Sequence, residues 1–161
     1  MKKLNQDHSG FTIIEVVLVL AIAGLIFMMV FIALPALQRN QRDIQRKNDV
    51  NRALAALQRY QANNKGNLPS GEYWEGFTST YLRAGGDVFQ DPDGSDYGFW
   101  RNPDRNDIGF KASYGSYAGR TLISFFVNAG CDGGRIVDSL GNNKVALAVE
   151  LEGGGIYCAN N

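Results

Sequence analysis

Apolar residues fill the first part of the chain almost without interruption. Between Phe11 and Leu37 nearly every residue is apolar, and residues 16–37 carry no charge. These 22 residues would span about 33 Å as an α-helix, enough to cross the hydrocarbon core of a bilayer. A secretory signal would have a shorter apolar region and a small-x-small cleavage site, which Ala33-Leu34-Pro35-Ala36 does not supply. The pattern therefore predicts a membrane-spanning helix.

After Leu37 the chain becomes polar, but the helical period continues. Apolar residues recur at spacings typical of one helix face: Leu37, Ile44, Val50, Ala53, Leu54, Leu57 and Tyr60. Charged residues lie mostly outside this face: Arg42, Asp43, Arg46, Lys47, Asp49 and Arg52. One helix is therefore predicted from Phe11 to about Asn64, roughly 80 Å long at the rise of an α-helix. Gly66 and Pro69 lie just beyond its predicted end.

The second half of the chain is rich in glycine and turn residues. Residues 67–116 are predicted to form a structured loop region with one or two short strands. Four later segments have the composition of strands: Leu122–Asn128, Arg135–Leu140, Val145–Leu151 and Gly155–Cys158. Turns at residues 141–143 and 153–155 would join the last three into an antiparallel meander. The predicted fold class is α+β, a long N-terminal helix packed on a small antiparallel sheet of about four strands.

Charge and length limit the function classes. The 161 residues include 16 basic and 16 acidic side chains, so no global charge attracts nucleic acid or anionic lipid. Basic residues do cluster after the apolar segment: Arg39, Arg42, Arg46, Lys47 and Arg52. Asp43 and Asp49 interrupt this cluster, so we interpret it as a solvated or subunit-facing helix surface and do not expect DNA binding.

The two cysteines, Cys131 and Cys158, lie in the glycine-rich half at a spacing unlike zinc or redox motifs. Behind a membrane segment, this pattern favours one disulfide in an oxidising compartment. Two reduced core thiols in a cytosolic domain are the alternative that the spacing leaves open.

The junction between leader and apolar segment reads Gly10-Phe11-Thr12-Ile13-Ile14-Glu15. It resembles the class III signal of type IV pilins and pseudopilins, which combines a small residue, an aromatic residue, a carboxylate at a fixed offset and a full membrane span. The resemblance implies cleavage between Gly10 and Phe11 by a membrane-embedded aspartyl peptidase and methylation of the new N-terminus at Phe11. It assigns Thr12 and Glu15 to subunit assembly.

Glu15 also has an unusual position by physical argument. A carboxylate in a membrane helix costs a few kcal/mol on insertion scales, so it is rarely there without a partner. In the processed chain it would lie in the first helical turn, where the helix dipole favours negative charge. When apolar segments bundle, Glu15 of one subunit can neutralise the Phe11 amine of a neighbour, which would also set the axial register of the subunits.

Gly24 and Pro35 resemble the helix-weakening residues of the same family, although Pro35 falls three positions later than the proline that members commonly carry. We expect a helix kink or a locally melted segment between them. The cysteine pair resembles the disulfide-bounded C-terminal region of many pilins.

Three carboxylates of the segment Asp91-Pro92-Asp93-Gly94-Ser95-Asp96 suggest a weak calcium candidate at Asp91, Asp93 and Asp96. No glutamate follows at the twelfth position of an EF-hand loop, and Pro92 and Gly94 suit a type I turn. We therefore expect turn chemistry here and neither a bound metal nor a cofactor.

Nine aromatic residues lie in or next to the loop region: Tyr73, Trp74, Phe77, Tyr81, Tyr97, Phe99, Trp100, Tyr114 and Tyr117. They could form a surface that binds carbohydrate or a partner, or they could pack into a small core. Core packing is favoured, because aromatic residues usually hold a loop-rich region to a small sheet. The chain has one histidine, His8, which lies in the leader. Without a nucleophile motif or a histidine in the processed chain, we do not expect an enzyme.

The sequence thus predicts a leader over residues 1–10, a transmembrane and polymerisation helix over 11–37, its amphipathic half over 38–65 and a globular part over 66–161. The predicted function is a structural subunit of a type IV pilus, for adhesion, twitching motility or DNA uptake. Its expected partners are other copies, minor pilins, the prepilin peptidase, the membrane assembly platform and inner-membrane lipid. A pseudopilin of type II secretion and a membrane-anchored binding module that never polymerises are the alternatives.

The expected location is the cytoplasmic membrane, crossed once, and then a surface pilus. Basic residues after the span outnumber Lys2 and Lys3 of the leader, so the positive-inside rule would place the globular part in the cytoplasm. The cleavage motif requires the opposite orientation, and we give the motif precedence.

Overall fold

The computed structural model describes residues 10–106, 108, 117–139, 141 and 143–161. The predicted leader before Gly10, with His8, and also Tyr114, Leu140 and Asn142, therefore lie outside the described residues. The chain divides into two compact units, Met1–Gln38 and Arg39–Asn161. We call the second unit the head and describe the two units separately.

One helix, α1, runs over Ile13–Asn63 and belongs to both units. At its C-terminal end the Gly66 N–H donates a hydrogen bond to the Gln61 carbonyl at 2.7 Å. Lys65 and Gly66 have φ angles of 55° and 81°, a left-handed conformation that closes the last turn as in a Schellman motif. The predicted helix is confirmed, with ends one or two residues inside the predicted ones.

The loop region contains more helix than predicted. A short helix, α2 (Glu75–Phe77), continues into a π-helical turn over Thr78–Leu82, and a 3₁₀ turn follows at Ala84–Gly86. The first strand, β1, comes later at Gly98–Arg101. The prediction of a structured loop with one or two short strands is therefore confirmed for its described part, and the helical turns are an addition.

Five further strands follow β1: β2 (Leu122–Val127), β3 (Ala129–Asp132), β4 (Arg135–Asp138), β5 (Val145–Glu150) and β6 (Ile156–Asn160). The main sheet has the order β1-β2-β5-β6, in which β1 and β2 are parallel and the other pairs antiparallel. The prediction of a long helix packed on a small, mostly antiparallel sheet of about four strands is confirmed.

The predicted meander is wrong in one detail. The strand predicted at Arg135–Leu140 does not join β5; it pairs with β3 in a separate two-stranded sheet. Asn128 has a φ of 57°, a left-handed conformation that separates strand β2 from strand β3. Gly133, with a φ of 58°, lies in the turn of the hairpin formed by β3 and β4. The edge of β2 is thereby left for β5, which pairs with it directly.

The main core lies between the sheet and the helix residues 50–57. Val50, Ala53, Ala56 and Leu57 of α1 are fully buried. They pack against sheet residues and aromatic side chains of the loop region: Ile123, Phe125, Val145, Leu147, Val149, Trp74, Phe77, Tyr97 and Phe99. The Trp74 and Phe125 rings stack with centroids 3.8 Å apart. Core packing of these aromatic residues is therefore confirmed, whereas Tyr73 and Tyr117 stack outside this core.

The prediction of an apolar helix face is wrong for part of that face. Ile44 and Leu37 are 57% and 54% exposed, whereas Asp43, Arg46 and Asp49 are buried. One helix face does pack on the sheet, but its chemistry changes from apolar at residues 50–57 to ionic at residues 43–49. The apolar pattern of the sequence does not predict the ionic part of this face, because most partners of the buried charges lie far away in sequence.

A second core lies on the opposite face of the main sheet, where Phe126, Ala146 and Ala148 pack with Ile108 and Ala129. At its margin a disulfide joins Cys131 of β3 to Cys158 of β6. The predicted pairing is confirmed, and it fastens the two-stranded sheet to the main sheet.

Replacing both cysteines by serine is expected to lower the free energy of unfolding by about 3.6 kcal/mol, on the loop-entropy estimate for a 28-residue loop. The comparison is urea unfolding of the oxidised protein and the double variant, both as full chains in detergent. Reducing the wild-type protein should give the same loss. An unchanged midpoint in both tests would contradict a stabilising role for the disulfide.

Candidate functional site: the apolar segment and the Arg46 cluster

The N-terminal end of α1 is closed by two side chains of the motif. The Glu15 carboxylate Oε2 accepts hydrogen bonds from the Thr12 N–H and the Thr12 hydroxyl, each at 2.8 Å. The Glu15 N–H approaches the Thr12 hydroxyl oxygen at 3.4 Å. This is a capping box, in which residues three apart satisfy each other's free N–H groups. The spacing Thr-x-x-Glu is the sequence signal for this cap.

Beyond the cap, α1 exposes its apolar side chains. The large hydrophobic residues from Phe11 to Leu37 are 45–90% exposed. Within the part of the chain that the structure describes, α1 is the one helix long and apolar enough to cross a membrane. Exposed apolar surface of this extent marks a membrane segment or a packing surface.

Gly24 and Pro35 both lie inside this continuous helix. A Cβ atom built on Gly24 would meet no atom within 4 Å, so packing within the described chain does not require glycine there. The helix does not open at either residue in this structure. A kink, or melting of the segment on assembly, stays a prediction.

One comparison with known proteins found a match to the N-terminal apolar segment. The family model described as the prokaryotic N-terminal methylation motif matches residues 5–31. The chain carries a prokaryotic N-terminal methylation motif. This motif is the class III signal peptide of type IV pilins and pseudopilins, so the resemblance drawn from Gly10, Phe11 and Glu15 is confirmed. No curated protein and no solved structure matches the chain.

The methylation motif supports a pilin-like or pseudopilin protein, a structural rather than an enzymatic class. It ends at Phe31, before the head begins. The most distinctive feature of the head is a buried ion cluster that includes residues of α1.

The Arg46 cluster, as we call it, consists of Arg42, Asp43, Arg46, Asp91 and Glu152. The fully buried Arg46 guanidinium donates from Nε and Nη2 to the two carboxylate oxygens of Asp91, at 2.7 and 2.8 Å. Nη2 also donates to Glu152 Oε1 at 2.7 Å, and Nη1 to Asp43 Oδ1 at 3.3 Å. Two-point pairing of this kind is the strong form of an arginine–carboxylate contact.

Asp43 attaches the turn between β5 and β6 to α1. Its carboxylate oxygens accept hydrogen bonds from the Glu152 and Gly153 N–H groups, at 2.9 and 2.8 Å. A Cβ atom on Gly153 would lie 2.9 Å from Asp43 Oδ2, closer than real contacts of this kind. Glycine at this position therefore allows the turn to approach the helix.

Arg42 completes the cluster at its more exposed edge. Its guanidinium donates to both Glu152 carboxylate oxygens at 2.6–3.1 Å. The hydrogen bond from Arg42 lowers the pKa of Glu152 below its ordinary value; partial burial opposes this shift, and the hydrogen bond from Arg46 adds to it. Glu152 is therefore ionised at neutral pH and binds both arginines.

Asp49 lies on the same buried helix face but has a different environment. Its Oδ2 accepts a hydrogen bond from the Tyr97 hydroxyl at 2.9 Å. Burial raises the pKa of Asp49, since the hydrogen bond from Tyr97 only partly compensates for lost hydration. The pKa values of Glu152 and Asp49 are thus shifted in opposite directions.

The predicted turn at Asp91 is present. The Gly94 N–H donates to the Asp91 carbonyl at 2.8 Å, with Gly94 at a φ of 85°. The carboxylates do not converge on one point, because Asp91 faces Arg46 and Asp96 pairs with Arg83 at 2.9 Å. Among the residues that the structure describes, no group of three or more metal-ligating side chains comes together.

The interpretation of the basic cluster as a solvated or subunit-facing surface is wrong for Arg46. Arg46 is fully buried, and Arg42 is paired with Glu152. Arg52 pairs with Asp87 at 3.1 Å. Apart from Asp43, which lies three residues from Arg46, the carboxylate partners lie 35–110 residues away in sequence, so local charge spacing could not identify them.

Glu152→Gln is expected to lower the urea midpoint of the full chain in detergent at pH 7, and to do so less at pH 3.5. Because the pKa of Glu152 is lowered from 4.5, its contribution to stability is present above that value. It is lost as pH falls through the lower pKa of the folded state.

Asp49→Asn is the matched comparison for Glu152→Gln, and its effect on stability is expected to change with pH in the opposite direction. Because the pKa of Asp49 is raised from 3.8, its ionisation costs stability as pH rises through the folded-state value. The stability of this variant relative to wild type should therefore rise between pH 3.5 and pH 7. If the stability of both variants relative to wild type changed with pH in the same direction, the environments assigned to Glu152 and Asp49 would be contradicted.

Proposed function

We propose that this protein is the structural subunit of a type IV pilus filament. The observation that carries the proposal is a methylation motif over residues 5–31 that overlaps an apolar segment whose large side chains are exposed from Phe11 to Leu37. Exposed apolar surface of this kind is stable in a bilayer before assembly and against other subunits afterwards.

In this proposal the prepilin peptidase cuts between Gly10 and Phe11, and the new N-terminus is methylated. Residues 11–37 cross the cytoplasmic membrane once and later form the polymer contacts. Residues 38–65 continue the helix, and residues 66–161 complete the globular part. Adhesion, twitching motility and DNA uptake are the uses open to such a filament.

Glu15 has a defined part in the proposal. Before assembly the carboxylate satisfies the Thr12 N–H of its own helix. In a bundle of subunits it would pair with the Phe11 amine of a neighbour, at about 4 kcal/mol of attraction for charges about 4 Å apart, before desolvation is subtracted. The proposed partners are other copies and minor pilins, together with the peptidase and the membrane assembly platform.

N-terminal mass spectrometry of sheared surface material tests the proposal. We expect a mature chain that starts at methylated Phe11 in the filament fraction. An intact Met1 in the membrane fraction would overturn the processing step. A processed chain that stays in the membrane would instead support a membrane-anchored binding module, and processed filaments that never reach the surface would support a pseudopilin.

A further inference from the structure

The helix α1 orients its charges in an unusual way within the head. Six of its residues between positions 42 and 52 are charged, and all six are buried or half-buried. Among the exposed positions from 40 to 62, Arg59 alone is charged, and the others are uncharged: Asn40, Gln41, Ile44, Gln45, Asn48, Asn51, Ala55, Gln58 and Ala62. A solvated helix normally has the opposite arrangement, with its charges facing water.

The exposed residues also follow a strict spacing. Seven of them recur at alternating intervals of three and four, and we call this set the amide seam: Gln41, Ile44, Asn48, Asn51, Ala55, Gln58 and Ala62. Alternation of three and four is the spacing of positions a and d in a coiled coil. Asn51 is also held in place, because its Oδ1 accepts a hydrogen bond from the Tyr157 hydroxyl at 3.0 Å.

The chemistry of the seam indicates what could cover it. Four of its seven side chains are amides, and an amide buried without a hydrogen-bond partner costs about 1–3 kcal/mol. The apolar segment of another subunit would leave these amides unpaired. An identical seam would give each amide a donor and an acceptor, with Ile44 and Ala55 as the apolar contacts.

We propose that the amide seam pairs two copies of this chain as parallel helices in register, with Asn48 facing Asn48 of the second copy. The parallel direction rests on the proposed function, since all copies enter the membrane through the same N-terminal segment. Asparagine at a position a of a coiled coil favours such parallel, in-register dimers.

The charges beside the seam allow this pairing. In a parallel pair, Lys47 of one copy would approach Arg52 of the other, and the two positive charges would repel each other. Both are directed to their own head instead: Arg52 pairs with Asp87 at 3.1 Å, and the Lys47 Nζ lies 6.0 Å from the centroid of the Tyr157 ring. The seam is short, so the contact depends on the high effective concentration of chains confined to one membrane.

A charge exchange at Asn48 tests the proposal. Two differently tagged copies of the full chain are expressed together, and co-purification is measured before any filament is collected, from polymer-extracted lipid nanodiscs that keep the chains in their membrane without detergent. Two copies of Asn48→Lys, or two of Asn48→Asp, are expected to lose the co-purification of wild type. The mixed pair should recover it, because opposite charges then face each other.

Cross-linking gives an independent measurement. The native cysteines are joined to each other, so Asn48→Cys supplies one free thiol. Its membranes should yield several-fold more disulfide-linked dimer than membranes of Ser79→Cys, an exposed control outside α1. Equal yields at the two positions, or no recovery in the mixed charge pair, would overturn the seam pairing.

The two proposals can fail separately. Both measurements use membrane-held chains, so seam pairing can be present in cells that make no filament. If surface filaments with methylated Phe11 form while the seam tests fail, the seam inference is wrong and the proposed function stands. If the seam tests succeed and no filament forms under any condition, the polymer function fails instead.

Discussion

Glu15→Gln is expected to abolish surface filaments while leaving the protein folded and in the membrane. Glutamine can replace glutamate in a capping box, because its side-chain oxygen can still accept the Thr12 N–H. The variant therefore keeps the closed helix end and removes only the negative charge. Any loss can then be assigned to the charge.

The size of the effect follows from the apolar surroundings. In the proposed bundle of subunits, each subunit would bring a Phe11 amine and a Glu15 carboxylate into a region with little water. An unpaired buried charge there is strongly destabilising, by about 3–5 kcal/mol when one partner of a pair is removed. This cost recurs at every subunit added, so we expect filaments to be lost rather than shortened.

Filaments are counted by electron microscopy of sheared material, with the membrane fraction as a check on expression. Glu72→Gln is the matched control, an exposed carboxylate of the head. Thr12→Val separates the second role of the motif, because it removes the hydroxyl that bonds to Glu15 and keeps the carboxylate charge. Normal filament numbers in Glu15→Gln would contradict the proposed pairing with Phe11.

Arg46→Met is expected to cause the largest loss of stability of any single change in the head. Arg46 is fully buried and bonds to Asp43, Asp91 and Glu152. Its hydrogen bonds to Asp91 and Glu152 more than offset the effect of burial and raise its pKa, so it is charged at all accessible pH. Removing it leaves carboxylates buried without that partner, at a cost of about 3–5 kcal/mol.

The measurement is the urea midpoint of the full chain in detergent. Arg83→Met is the matched control, because Arg83 pairs with Asp96 at 2.9 Å while both side chains are about one-third exposed. Exposed pairs contribute about 0–1 kcal/mol, so this change should have little effect. Equal losses in the two variants would contradict a central role for Arg46.

Local signals in the sequence determined the apolar N-terminal segment and its helix. An uncharged run of 22 residues, a small residue before Phe11 and the carboxylate of Glu15 are all readable within 30 residues. Helix formation depends on contacts three and four residues apart, so periodicity also predicted α1 to within two residues of its ends. The two cysteines had one possible pairing within the chain, and the structure forms it.

Contacts between distant residues decided the rest. The ionic character of the helix face at Arg46 depends on Asp91 and Glu152, which lie 45 and 106 residues away. The partner of β2 was likewise set by the left-handed turn at Asn128, which directs β3 into a second sheet. A charged residue in a sequence is predicted to face water because burying it alone is costly. Only the tertiary structure supplies the carboxylates that remove this cost, and it thereby leaves the uncharged face of α1 on the outside.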